Sequence, residues 1–383
     1  MPAIPLRGKL TLVLLLFSAA LPAAQNAFNP EISLILSGQY AHYRQDPDRY
    51  RIAGLPLADE AGLLPAGLSL AESELVISAN ADDRFYGRFT GAIAPEGGLA
   101  VEEAFVQTLD LPAGLTLQAG RFYSELGYQN SRHAHQWDFV DQPLAYRAFL
   151  GNQYGDDGLQ LRWLAPTETF LELGAEVFRG AAYPSAGASR GGAGTRVLFV
   201  TGGGDIDVSQ SWKAGLSLFD SRAEQRLSDG GNLRFSGDVR QWTLYGVWKW
   251  APRGNPYERN LIVQGAFMQN RERGSYGGSA TGPIDARRQG AYLQAVYQFR
   301  HGWRTGLRLD ALRVPDPGSA LRGSPLDPAG HTPRRVSLMV DYAHSEFSRI
   351  RLQYNRDESG PRPDDQWTVQ YTMSLGAHGA HRF

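Results

Sequence analysis

Hydrophobic and polar residues alternate along most of this chain. From Ile32 to Tyr40 the even-numbered positions are almost all apolar. Phe85, Gly87, Phe89, Gly91 and Ile93 alternate with Arg84, Tyr86, Arg88 and Thr90. Near the end, Trp367, Val369, Tyr371, Met373 and Leu375 alternate with Thr368, Gln370, Thr372 and Ser374. A strand points successive side chains to opposite faces, so each segment carries one apolar and one polar face. Helical spacing fits these segments poorly, and no run approaches the ~18 apolar residues of a transmembrane helix. The pattern predicts about 16 strands, near 31–43, 68–80, 84–94, 99–110, 115–122, 158–164, 170–178, 196–201, 211–222, 235–250, 260–269, 288–299, 303–312, 334–343, 348–355 and 367–383.

A soluble β-sandwich shows the same alternation, so the connections decide. Short ones (81–83, 111–114, 165–169, 300–302, 344–347) alternate with long polar ones (44–67, 123–157, 180–195, 270–287, 314–333, 356–366). Two depart mildly: 95–98 is short where a long loop is due, and 251–259 is long where a turn is due. Short turns on one rim, long loops on the other and an even strand number describe an all-β, 16-stranded antiparallel transmembrane barrel. Such a barrel closes every backbone hydrogen bond between strands and crosses lipid without an edge. Tyr40, Trp163, Trp212, Trp248, Trp250, Trp303 and Trp367 fall near strand ends, where interfacial girdles sit.

The amino terminus carries a different pattern. Arg7 and Lys9 precede the apolar run Leu10 to Leu21, and Pro22-Ala23-Ala24 follows. A basic head, a short apolar run and small residues form a secretory signal pattern, here 1–24, with 25–383 as the exported barrel. Phe383 ends the chain in phase with the apolar face from Trp367, an aromatic ending that resembles the signal read by the bacterial barrel-assembly machinery. The expected location is the Gram-negative outer membrane, among its lipids and lipopolysaccharide.

Composition adds exclusions. The 383 residues hold no Cys, which removes disulfide scaffolds, Cys-ligated metals and Cys nucleophiles. Formal charge is −1, which argues against nucleic acid as a partner. Only Lys9, Lys213 and Lys249 are lysines among 38 basic residues; the rest are arginines.

Ala119-Gly120-Arg121-Phe122-Tyr123-Ser124, continuing to Trp137-Asp138-Phe139-Val140-Asp141-Gln142-Pro143-Leu144 and then to Gly155-Asp156-Asp157-Gly158-Leu159-Gln160-Leu161, resembles a Gram-negative porin. It is most similar to the phosphate-selective porin O and P family. The resemblance implies a 16-stranded barrel, commonly a homotrimer, whose third loop folds inward and narrows the pore. The chain departs from that family in lysine: the phosphate-selective members line the pore with it, and only Lys213 and Lys249 follow the signal here.

Loop 123–157, with 35 residues, is the longest connection, and one that long in a compact fold is usually functional. Its Arg132, Trp137, Asp138, Asp141 and Arg147 are candidate constriction residues. By strand phase Arg84, Arg88, Arg162, Arg304, Arg308, Arg349 and Arg351 face inward, as do Glu72, Glu74, Glu172 and Glu176. Opposed basic and acidic groups across a narrow neck select ions and polar solutes, and Arg offers a rigid fork for carboxylate or phosphate. The alternative is that these charges pair with one another and merely satisfy a polar interior. The basic strands slightly favour an anion path.

His133-Ala134-His135 with Asp138 and Asp141 gathers N and O ligands suited to Zn or Ni. His378 and His381 form a second small group. No resident cofactor is expected. An enzyme is not expected either: no H-E-x-x-H occurs, and Gly202-Gly203-Gly204-Asp205 lacks the Lys-Ser/Thr of a phosphate loop and reads as a turn. The leading function is diffusion of small hydrophilic solutes or ions through the barrel. A specific uptake channel for zinc or another metal, and a non-conducting structural barrel, are the alternatives.

Overall fold

The computed structural model describes residues 30–93, 97–187 and 192–376. The signal segment 1–24, Phe383, His378 and His381 lie outside the described residues. Seventeen strand segments follow one another: β1 (Glu31–Tyr43), β2 (Gly67–Leu70), β3 (Ser73–Asn80), β4 (Phe85–Ile93), β5 (Leu99–Thr108), β6 (Leu115–Tyr123), β7 (Gly155–Leu164), β8 (Phe170–Phe178) and β9 (Thr195–Asp207). The rest are β10 (Gln210–Ser228), β11 (Leu233–Trp250), β12 (Asn260–Gly278), β13 (Gly282–Arg300), β14 (Trp303–Arg313), β15 (Arg334–Ser345), β16 (Ser348–Glu358) and β17 (Asp364–Gly376). β2 and β3 pair with the two halves of β1 and form one wall strand broken at Ala71-Glu72, so the wall has sixteen strands. Each strand pairs antiparallel with its neighbours in sequence, and β1 closes the ring by pairing with β17 from Ser33↔Gly376 to Tyr43↔Gln366.

Burial is inverted relative to a soluble barrel. On β15 Arg335, Ser337 and Asp341 are buried, while Val336, Leu338 and Val340 are 40–49% exposed. On β17 the apolar face Trp367, Val369 and Tyr371 is outward, and Gln366 and Thr368 are buried inside. An apolar exterior around a polar interior is the arrangement a bilayer demands. Trp163, Trp212 and Trp303 stand exposed near the short-turn rim, and Tyr40 and Trp367 near the opposite one, as two aromatic belts.

Three sequence expectations need correction. The segment 270–287 is wall, not loop: β12 and β13 run 19 residues each and meet in a turn at 279–281. Asn270↔Arg288 and Glu272↔Ala286 continue the register there. Polar residues on both faces read as loop in the sequence, because this wall rises above the lipid and its outer face, with Arg271 paired to Asp285 at 2.7 Å, meets water. The connection 356–366 shrinks to 359–363 for the same reason. Gly202 to Gly204 is strand, not turn. It continues β9 alongside Trp212 to Ala214.

Inside the barrel, residues from the long loops build an apolar core. Ile52 and Leu57 from 44–66, Leu126 and Phe149 from 124–154, and Leu321 and Leu326 from 314–333 pack against Phe178, Phe219, Phe235 and Leu312 of the wall. The packed half of the lumen therefore lies against β8–β14.

Candidate functional site

The connection 124–154 between β6 and β7 enters the lumen and crosses it. Glu176 of β8 holds its start, receiving the Ser124 hydroxyl, the Glu125 amide at 3.1 Å and Gln160 Nε2 at 2.6 Å. Asn130 closes the base of the loop: its Nδ2 donates to the Ser124 and Tyr154 carbonyls at 2.8 Å, and its Oδ1 accepts from the Tyr154 amide at 2.7 Å. Toward its end lies a short helix, α1 (Leu144–Leu150), every residue of which is buried. Gly290 of β13 lets α1 approach the wall, since a Cβ there would meet Ala145 at 2.8 Å and Leu312 at 2.7 Å. Arg147 donates to the Ala61 and Gly62 carbonyls at 2.6 and 3.1 Å and stacks on Tyr50, tying α1 to the first loop.

The middle of the loop is fastened to a basic wall. Arg308 reaches Asp141 Oδ1 at 2.5 Å and Arg335 reaches Oδ2 at 2.8 Å, while Gln353 and Asn355 donate to the same carboxylate. Arg304 grips Asp341 through two hydrogen bonds (3.0 and 2.6 Å) and reaches Asp138 at 3.0 Å. Arg349 and Arg351 donate to the His135 and Trp137 carbonyls at 2.9 and 2.7 Å. Burial pushes the Asp141 carboxyl up, but Arg335, Arg308 and Arg147 outweigh it and hold the group well below the usual carboxylate range.

On the opposite side the loop meets an acidic wall. His133 Nε2 lies 2.8 Å from Glu103, and Nδ1 lies 3.2 Å from Glu102 and 3.3 Å from Glu74. His135 Nδ1 lies 2.9 Å from the other oxygen of Glu74. Arg88 and Thr90 engage Glu103 at 3.2 and 3.4 Å. Burial alone would strip the His133 proton; Glu74, Glu103 and Glu102 outweigh it and raise the imidazole well above its ordinary value.

The structure thus brings together Arg304, Arg308, Arg349 and Arg351 with Asp138 and Asp141, and Arg88, Glu72 and Glu74 with the two histidines. It leaves others apart. Arg84 stands exposed in the turn between β3 and β4, outside the lumen wall, because β4 begins only at Phe85. Arg162 bonds Gln107 at 2.8 Å near the short-turn rim, with half-buried Glu172 nearby. Arg132 packs on Tyr128 and donates to its hydroxyl at 2.6 Å. Trp137 is buried, its indole donating to the Arg132 carbonyl. Asp138 and Asp141 do not join His133 and His135, since they are occupied by arginines on the other wall. Missing from the sequence candidates were Glu102, Glu103, Asp310, Arg335, Asp341 and Asp357. For Asp310, Arg335, Asp341 and Asp357 the period of two was sufficient signal, as each falls in phase with a buried polar neighbour such as Arg308, Ser337 or Arg351.

Beside the loop lies a cavity of about 740 Å³, bounded by Ser37, Gln39, Glu72, Glu102, Gln366 and Gln370, among others. A second, of about 270 Å³, opens toward the short-turn rim between Arg304, Arg349, Ser345 and Thr372. His135 lines both, so the two cavities adjoin at that residue.

No family model matches the chain. A protein of Aquifex aeolicus (strain VF5), described as uncharacterized, is 29% identical over 401 residues, covering 94% of this chain and 81% of that one. Among solved structures, the anion-selective porin from Comamonas acidovorans is similar with a TM-score of 0.61 and 12% identity, covering 91% of this chain and all of that one. The trimer form of OmpT, an outer-membrane protein of Vibrio cholerae, is similar with a TM-score of 0.57 and 9% identity over 91% of this chain and all of that one. At such identities the likeness is one of fold: this chain has the barrel architecture of outer-membrane porins.

Proposed function

We propose that the protein is an outer-membrane channel through which small hydrophilic solutes diffuse, with the loop 124–154 as its constriction. One observation carries the reading. Inside an apolar-belted, closed barrel, two cavities with polar lining residues adjoin at His135 along the face of that loop left open by the packed half of the lumen. Solutes pass between the loop and the wall of β1, β16 and β17.

Selectivity in this reading is weak. Arg304, Arg308 and Arg335 each bind an aspartate, so most of the basic ladder is neutralised in place. Arg349 donates to a carbonyl and, among the described residues, has no carboxylate in ion-pair contact, so any anion preference rests chiefly on it. The phosphate-selective resemblance is not carried to this lumen, because Lys213 and Lys249 are the only lysines beyond the signal. Export by the 1–24 segment, assembly through the terminal Phe383, residence among outer-membrane lipids and lipopolysaccharide, and a homotrimer complete the proposal. The trimer form of the Vibrio cholerae protein with the same fold supports the last of these.

Liposome swelling tests the reading. Vesicles carrying the purified protein should admit small neutral sugars at rates that fall steeply with sugar size. Rates equal to those of protein-free vesicles for every sugar would favour a blocked barrel.

A further inference from the structure

We propose that His133, Glu74 and Glu102 form a binding site for a divalent transition-metal cation of the zinc class, joining the inward loop to β3 and β5. The nearest atoms of these three side chains all lie within 4.8 Å of one another. His133 Nδ1 stands 3.2 Å from Glu102 Oε2 and 3.3 Å from Glu74 Oε2. A tetrahedral ion with arms of about 2.0–2.1 Å has ligand-to-ligand edges of roughly 3.3 Å, so these spacings already match two edges of such a site.

The surroundings supply what a metal histidine requires. Its other nitrogen, Nε2, faces Glu103 at 2.8 Å, and Glu103 is itself held by Arg88 and Thr90. A carboxylate behind the imidazole fixes the ring and raises its basicity toward the metal. Glu74 is positioned likewise, its Oε1 engaged by His135 at 2.9 Å. Its Oε2 is buried on a side chain with no exposure and accepts no hydrogen bond, with the 3.3 Å ionic contact of His133 Nδ1 as its compensation at the proposed site. An acceptor left in that state has a substantial desolvation cost that a cation removes.

Charge points the same way. Four carboxylates, Glu72, Glu74, Glu102 and Glu103, surround His133, and the nearby guanidinium is Arg88. A divalent ion replaces the proton on His133 Nδ1, which leaves to solvent, and offsets the remaining negative charge. One imidazole nitrogen with carboxylate oxygens favours zinc, cobalt, nickel or manganese over calcium and magnesium, which take oxygen ligands alone. Asp138 and Asp141, which follow His133 in the same loop, take no part. The inference goes beyond channel activity and does not depend on conduction.

The test is calorimetric titration of zinc chloride into the folded, tag-free, metal-stripped protein in detergent. One site per chain is expected, weakened at least tenfold in Glu102→Gln and in His133→Ala, and unchanged in the control His301→Ala. Each variant is first checked for the heat-modifiable gel shift of a folded barrel. If His133→Ala does not fold, Glu102→Gln carries the decision. No stoichiometric zinc uptake by the folded wild type, or equal affinity in folded Glu102→Gln, overturns the proposal. Single-channel recording of the metal-free protein separately tests conduction, so either idea can fail while the other stands.

Discussion

Replacing Asp141 by Asn removes one charge from the point where the inward loop meets two buried guanidinium groups, and nearly preserves its shape. Asp141 lies 2.5 Å from Arg308 and 2.8 Å from Arg335, whose side chains are 1% and 0% exposed. Removing one partner of a buried ion pair costs about 3–5 kcal/mol. Asp310 remains 3.1 Å from Arg308, and Asp357 remains 3.9 Å from Arg335. The lower end therefore applies, about 3 kcal/mol of loop tethering. That raises the population with the loop detached by about two orders of magnitude. Single-channel recording should show a larger conductance and more open-channel noise. The reversal potential should move toward anion selectivity as Arg308 and Arg335 are uncovered. A folded Asp141→Asn barrel with the conductance, noise and reversal potential of the wild type would refute the reasoning. The pH dependence has a definite sign. Because the folded-state value of Asp141 is depressed, its contribution is fully present above the unfolded value of about 3.9 and is lost only as pH falls through the lower folded value. Wild-type noise attributable to this tether should therefore be the same at pH 7 and pH 5.

The remaining predictions follow from the wall. Leu338→Arg places a charge on the lipid face where Leu338 is 49% exposed. It should cost about 2–4 kcal/mol near the bilayer midplane and lower the urea midpoint of the folded barrel. The neighbouring lumen change Ser337→Ala, which removes a buried hydroxyl that makes no hydrogen bond, should not lower that midpoint in the same titration. Gly290→Val drives a side chain into Ala145 and Leu312. Overpacking of about 1–3 kcal/mol should displace α1, read as faster proteolysis within 124–154. Arg349→Glu reverses a lumen charge that, among the described residues, is in ion-pair contact with no carboxylate, and should shift the reversal potential toward cations. No shift would remove Arg349 from the conduction path.

The strands were legible because the bilayer and the lumen impose opposite demands on alternate residues; β17 follows the period closely, while β1 turns the apolar Ile35 inward and β4 buries Thr90 and Gly91 in succession. Above the lipid that contrast disappears. Arg271 and Arg273 face water while Asn270 and Glu272 face the interior, so a continuous strand reads as a polar loop. The inward loop was legible as a long mixed segment, and its arginine partners as in-phase residues on β14 and β16. Which partner each loop residue meets was not legible. Asp138 and Asp141 lie close in sequence to His133, but the chain turns between them, and the two groups end on opposite walls. Glu102 and Glu103 were missed because a bulge opposite Thr90 and Gly91 lets two adjacent residues both approach the histidine, which strict alternation forbids.

The central claim is that this barrel conducts past its inward loop, and the current through single purified molecules in a planar bilayer tests it most directly. The account predicts stepwise, long-lived openings with a reversal potential near zero in a salt gradient, and a larger, noisier step in Asp141→Asn. Folded protein that inserts and yields no conductance steps, in wild type and Asp141→Asn alike, would contradict it.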